Sequence, residues 1–191
     1  MAAPYFSQVL ASQKLNGTLF NTYTTAKTVL NPTELVQIPG NYLQIGSKLR
    51  IRAWGGLSNI ATTPGTVTFQ TMLGPTSTIV AWTSGALQMT TTANTLSPFM
   101  FETVLRVNAV GITTAAALIG GGVVSALNFA LSSVANPTLT DGVLAVPAGS
   151  PANGTGFDST VTNVLDFWVG FSISNAGNGV QLYDYTVEQL N

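Results

Sequence analysis

The chain of 191 residues has six Lys or Arg, seven Asp or Glu, no histidine and no cysteine, so 7% of it is charged and its net charge is −1. Ordinary domains carry about 25% charged residues. This composition removes the imidazole and thiol chemistry of most acid–base, nucleophilic and metal sites, excludes a disulfide framework, and offers no basic footprint for nucleic acid.

In chain order, residues 1–17 read as an N-terminal arm ahead of a domain over 18–191. Met1-Ala2-Ala3-Pro4-Tyr5-Phe6 lacks the basic and apolar regions of a signal peptide, so none is expected. Thr18 to Leu30 carries β-branched and aromatic residues and stops at the turn signal Asn31-Pro32. Glu34 to Ile38 reads as a short strand closed by Pro39-Gly40. Ser47 to Leu57 alternates: Leu49, Ile51 and Ala53 on one side, Lys48, Arg50, Arg52 and Trp54 on the other. That is a strand with one wet face.

Thr62-Thr63-Pro64-Gly65 turns the chain into a strand over Thr66 to Leu73, broken by Gly74-Pro75. Short strands follow at Thr78 to Trp82 and Ala86 to Thr90. Pro98 to Val110 alternates most cleanly, with Phe99, Phe101, Thr103, Leu105 and Val107 opposing Met100, Glu102, Val104, Arg106 and Asn108. Glu102 and Arg106 share a face. At roughly 3.3 Å per residue they stand too far apart to pair and must meet neighbours on adjacent strands.

No charge lies between Arg106 and Asp141, and Ala115 to Leu131 is largely apolar. Gly120-Gly121-Gly122 and Asn128 interrupt the run, no basic flank follows, and Ile119, Val123, Leu127, Phe129 and Leu131 keep a period of two. A strand is expected, and no membrane helix. Residues 136–158 are rich in Pro and Gly and read as a long surface loop. Val161 to Ser174 and Gly179 to Leu190, around Asn175-Ala176-Gly177-Asn178, read as a closing hairpin. Its first strand offers Leu165, Phe167, Val169, Phe171 and Ile173 to the core. One register places Val180 and Leu182 inside; a one-residue shift places Tyr183, Tyr185 and Val187 there instead. About eight to ten strands with turn signals near every tenth residue predict an all-β fold, a single antiparallel β-sandwich, jelly-roll-like.

The remaining chemistry is thin. Without histidine, a nucleophile needs Lys or a carboxylate as its base, and Thr24-Thr25-Ala26-Lys27 only mimics such spacing. Glu102, Asp158, Asp166 and Asp184 could supply paired carboxylates for glycoside hydrolysis, although no motif links them. Asp141 or Asp158 lacks the spaced-acid pattern of a calcium loop. The glycine run lacks the Lys and Ser/Thr of a phosphate loop. No catalytic residue, metal or cofactor is expected. Lys48, Arg50 and Arg52 form the one concentrated charge feature. It is either the solvent face of a strand or, with Trp54, the interface to an acidic partner.

Four stretches carry a resemblance: Leu49-Arg50-Ile51-Arg52-Ala53-Trp54-Gly55-Gly56, Thr63-Pro64-Gly65-Thr66-Val67-Thr68-Phe69-Gln70, Ser84-Gly85-Ala86-Leu87, and Phe101-Glu102-Thr103-Val104-Leu105-Arg106-Val107-Asn108-Ala109-Val110-Gly111. Together they resemble minor capsid or head-decoration proteins of tailed bacteriophages, over Leu35 to Leu131. The resemblance implies a virion protein bound to the major capsid protein and to copies of itself, often as a homotrimer, with no nucleic acid or membrane partner. The competing expectation is a tail-associated host-recognition or carbohydrate-binding module, with Trp82, Trp168 or Tyr183 as stacking platforms.

Overall fold

A computed structural model describes residues 7–129 and 143–190. The strands are β1 (Ser7–Ser12), β2 (Phe20–Asn21), β3 (Lys27–Thr28), β4 (Val36–Ile38), β5 (Lys48–Asn59), β6 (Thr66–Leu73), β7 (Ile79–Thr83), β8 (Leu87–Gln88), β9 (Asn94–Ala109), β10 (Ala117–Ala126), β11 (Val143–Val146), β12 (Asn163–Phe171) and β13 (Gly179–Leu190). A seven-stranded antiparallel sheet runs β1-β13-β5-β9-β10-β11, with β2 on β13. A six-stranded one runs β3-β12-β6-β7, with β4 on β12 and β8 on β6. Eight of these strands, β1-β13-β5-β9 in one sheet and β4-β12-β6-β7 in the other, follow the interleaved path of a jelly roll.

Alternation explains the interior. Leu49 and Ile51 of β5, Val67 and Phe69 of β6, Phe99 and Leu105 of β9, and Leu165 and Phe167 of β12 are all buried. Rings from both sheets interlock: Phe101 and Phe167 lie 5.1 Å apart, and Phe69 and Phe167 stack at 5.9 Å. Burial of this apolar surface is the main term holding the sheets together. β10 holds the glycine run because its backbone comes too close for side chains: a Cβ on Gly122 would collide with the Glu102 carbonyl of β9. Trp82 Nε1 donates to the Gly120 carbonyl at 3.1 Å, tying β7 to β10.

Several expectations change. Thr18 to Leu30 is not one strand: β2 joins the seven-stranded sheet and β3 the six-stranded one, with Thr22 between them at φ 65°. The closing hairpin is not a hairpin either, because β12 and β13 lie in different sheets. Asn178, buried in their connection, donates to the Pro64 carbonyl at 3.0 Å and accepts from the Ile60 amide at 3.0 Å, which pins the crossing. The register alternatives are both half realised. A bulge between Leu182 and Asp184 lets Val180 and Leu182 face inward before it and Tyr185 and Val187 after it.

The 136–158 segment is not wholly loop. Val143–Val146 forms β11 against β10, and Phe157 bridges Ala116 and is fully buried. Residues 136–142 lie outside the described residues. In β10 the odd positions face outward, while Leu118, Val124 and Ala126 face the core; Leu131 lies outside the described residues. Ile173 is likewise 38% exposed rather than core. Within the expected 1–17 arm, Ser7–Ser12 is the edge strand β1, and residues 1–6 lie outside the described residues. Among the described residues no helix is long and apolar enough to cross a membrane.

Candidate functional site

The centre of the seven-stranded sheet is β5, held between β13 and β9. Its pleat turns Leu49, Ile51 and Ala53 into the core and Lys48, Arg50, Arg52 and Trp54 outward. Cross-strand register then sets each outward residue beside a definite neighbour. Arg50 stands between Glu188 and Val104, Arg52 between Thr186 and Glu102, Trp54 between Asp184 and Met100, and Lys48 between Leu190 and Arg106.

These neighbours decide the electrostatics. Arg50 donates through Nε to Glu188 Oε2 at 2.7 Å and also through Nη2. Arg52 Nε donates to Glu102 Oε2 at 2.9 Å. Both arginines of the expected basic stripe are therefore neutralised by their own sheet. Glu102, as expected, reaches across to the next strand instead of along its own. The first pair is more enclosed, with side chains 25% and 14% exposed against 50% and 43% for the second. Lys48 makes no ion pair among the described residues, and Arg106 reaches only Asn108 Oδ1, at 3.0 Å.

Beside these pairs lies an apolar groove of about 520 Å³, lined among others by Trp54, Met100, Glu102, Val123, Val143 and Asp184. Met100 is 67% exposed, Val143 58% and Trp54 48%, an unusual density of apolar surface on one sheet face. The β13 bulge leaves two consecutive residues, Tyr183 and Asp184, facing outward. Trp54 Nε1 donates to Asp184 Oδ2 at 3.3 Å, and the Tyr183 ring meets the Trp54 ring edge-on, centroids 5.6 Å apart at 70°. Sequence reasoning found β5 but missed Met100, Tyr183 and Asp184 as its companions. The Trp54-to-Asp184 pairing depends on the bulge, which no residue pattern announces.

The other candidates sort out differently. Trp82 is 3% exposed, in the core against Phe101, and cannot be a stacking platform. Trp168 is half-buried on the outer face of the six-stranded sheet, its Nε1 donating to Asp166 Oδ2 at 2.7 Å. Asp166 also accepts from Thr28 Oγ1 at 2.8 Å and from the Phe167 amide at 2.7 Å. Burial pushes its carboxyl above the ordinary range, against the opposing pull of these donors. Burial, assisted by the Asp166 charge, likewise raises the pKa of the Tyr185 phenol, whose hydroxyl has no hydrogen-bond partner among the described residues. Asp158 accepts from Thr160 Oγ1 at 2.6 Å, the Thr113 amide at 2.8 Å and the Thr160 amide at 2.9 Å, which lowers its pKa.

Each carboxylate considered for hydrolysis thus has a structural partner: Glu102 and Asp184 line the same groove, each bonded to a β5 side chain, while Asp166 is on the other sheet and Asp158 in a loop. Lys27 Nζ lies over the Tyr23 ring, 3.9 Å from its centroid. No cluster of three metal-ligating side chains occurs among the described residues, and Asp141 lies outside them. Fold and face together define a jelly-roll-like β-sandwich with one broad, charge-bearing and partly apolar sheet face. The chain matches no family model, and a search of curated proteins finds no similar sequence.

Proposed function

We propose that the chain is a virion structural protein: a decoration or minor capsid subunit that binds the shell of a phage head by protein–protein contact and associates with copies of itself. The observation that carries this reading is the outer face of β5 and its neighbours. Arg50 and Arg52 at its centre are already neutralised, while Trp54, Met100, Val123 and Val143 remain exposed. Such a face keeps little net charge to desolvate and holds aromatic and Met side chains of the kind enriched in interface cores. The resemblance to head-decoration proteins points to the major capsid protein as partner and the assembled particle as location. The test is recovery with purified, washed capsids. Retention at a fixed copy number per shell is expected, and recovery only with detached tails would overturn the reading.

One observation favours the tail-module reading: Trp54 and Tyr183 present two rings beside the Asp184 carboxylate, a geometry that can stack a sugar. Glycan-array binding that disappears with Trp54→Ala would transfer the site to that role. Trp82 has no part in it.

A further inference from the structure

The face just described keeps its unpaired charges at opposite ends. At one end Lys48 and Arg106 stand directly opposite each other on β5 and β9, a like-charge pairing that adjacent strands ordinarily avoid. Their row holds Ser7, Leu190 and Ile119 besides, with no acid among the described residues. At the other end, roughly 20 Å along β5 at about 3.3 Å per residue, the Asp184 carboxylate meets, among the described residues, only the Trp54 N–H, and Tyr183 stands edge-on to Trp54. Two rings and a carboxylate around one point form a half-cage suited to a cationic side chain. Between the two ends Arg50–Glu188 and Arg52–Glu102 are closed pairs.

We infer that this face binds a second copy of the chain about a two-fold axis, with Lys48 of each copy against Trp54, Tyr183 and Asp184 of the other. The inference rests on the reading that the chain works through subunit contact. A two-fold axis lying between the two faces and running across the strands sets each cationic end over the other copy's aromatic and acidic end. Both contacts form at once, as an isologous interface requires. Stacked sheets sit about 10 Å apart, within reach of a lysine stem. Met100, Val123 and Val143 then leave water along with the rings. A three-fold ring joins two different patches head to tail and does not oppose the two ends of one face in this reciprocal way.

Light scattering and sedimentation equilibrium on the full chain test this. The expected mass is twice 19.8 kDa. Asp184→Lys and Lys48→Asp should each weaken the dimer by about 30-fold or more, and the double reversal should restore it. Thermal unfolding of each variant shows that a lost dimer is not a lost fold, and Asp184→Asn with Lys48→Gln provides a milder second pair. A monomer at all concentrations, a trimer, a dimer indifferent to both reversals, or no rescue by the double reversal would each overturn the inference. Capsid recovery with the same variants separates the two readings. A dimer that ignores capsids sinks the structural role and leaves the contact, whereas a monomer that still decorates capsids sinks the contact and leaves the role.

Discussion

The two outer sheet faces handle polarity in opposite ways. The seven-stranded face carries Lys48, Arg50, Arg52, Arg106, Glu102, Asp184 and Glu188, although the whole chain has six basic and seven acidic residues. The six-stranded face presents Thr66, Thr68, Gln70, Thr28 and Thr83 around Trp168, and its one carboxylate, Asp166, is buried beneath hydrogen bonds. A low overall charge is therefore not spread thinly. Seven of the thirteen charged residues lie on one sheet face, where register closes the Arg50–Glu188 and Arg52–Glu102 pairs, while the other face relies mainly on neutral hydroxyl and amide groups.

The most damaging way to break this contrast is to disturb the register beneath the charged face. Gly122→Ala puts a methyl group into the Glu102 carbonyl and should cost on the order of 4 kcal/mol, seen as a collapse of the urea midpoint. Next comes the buried acid of the neutral face. Asp166→Ala leaves Thr28, Trp168 and the Phe167 amide without their acceptor, and about 3 kcal/mol should be lost in denaturant titration.

The same residue sharpens the contrast through pH. The folded chain holds the Asp166 proton more tightly than the ordinary value of 3.8, so its contribution to stability is full below that value. The contribution is lost as pH rises through the raised folded pKa. Urea midpoints for wild type should therefore fall relative to Asp166→Asn across that window. Asp158, whose pKa is lowered, has the opposite sign: its contribution is present above 3.8 and is lost as pH falls through the folded value. The smallest effect is expected at the exposed ion pair. Glu102→Gln should change stability by less than about 1 kcal/mol and lose even that in high salt. A larger, salt-insensitive cost would mean that the two faces do not differ as described.

Where alternation runs unbroken, as in β5 from Lys48 to Trp54 and in β9 from Phe99 to Val107, the sequence was enough to place each side chain on its face. Leu49 and Phe101 turn inward, and Lys48 and Met100 outward. What lay beyond it was which strands neighbour one another. The partners of Arg50 and Arg52 come from β13 and β9, set by long-range pairing that no local pattern encodes. Crossing points were equally hidden. A turn such as Asn175-Ala176-Gly177-Asn178 looks the same whether it returns a strand beside its predecessor or carries it to the other sheet. Only the buried bonds of Asn178 decide. Trp82 misled because its residue type suits a platform, yet a short strand over a glycine run leaves it no exit to solvent.

The bulge in β13 gives the chain an uneven tolerance to change. Point substitutions at Tyr183 leave the frame of the strand intact, so Leu182 and Tyr185 stay inside and only the surface chemistry beside Trp54 is rewritten. Loss of that one residue would instead put the strand back in a single phase, forcing every position on one side of it onto the wrong face. Variation at this site is thus free in kind and forbidden in number, which lets the ring and acid beside Trp54 be exchanged while the fold beneath them is conserved.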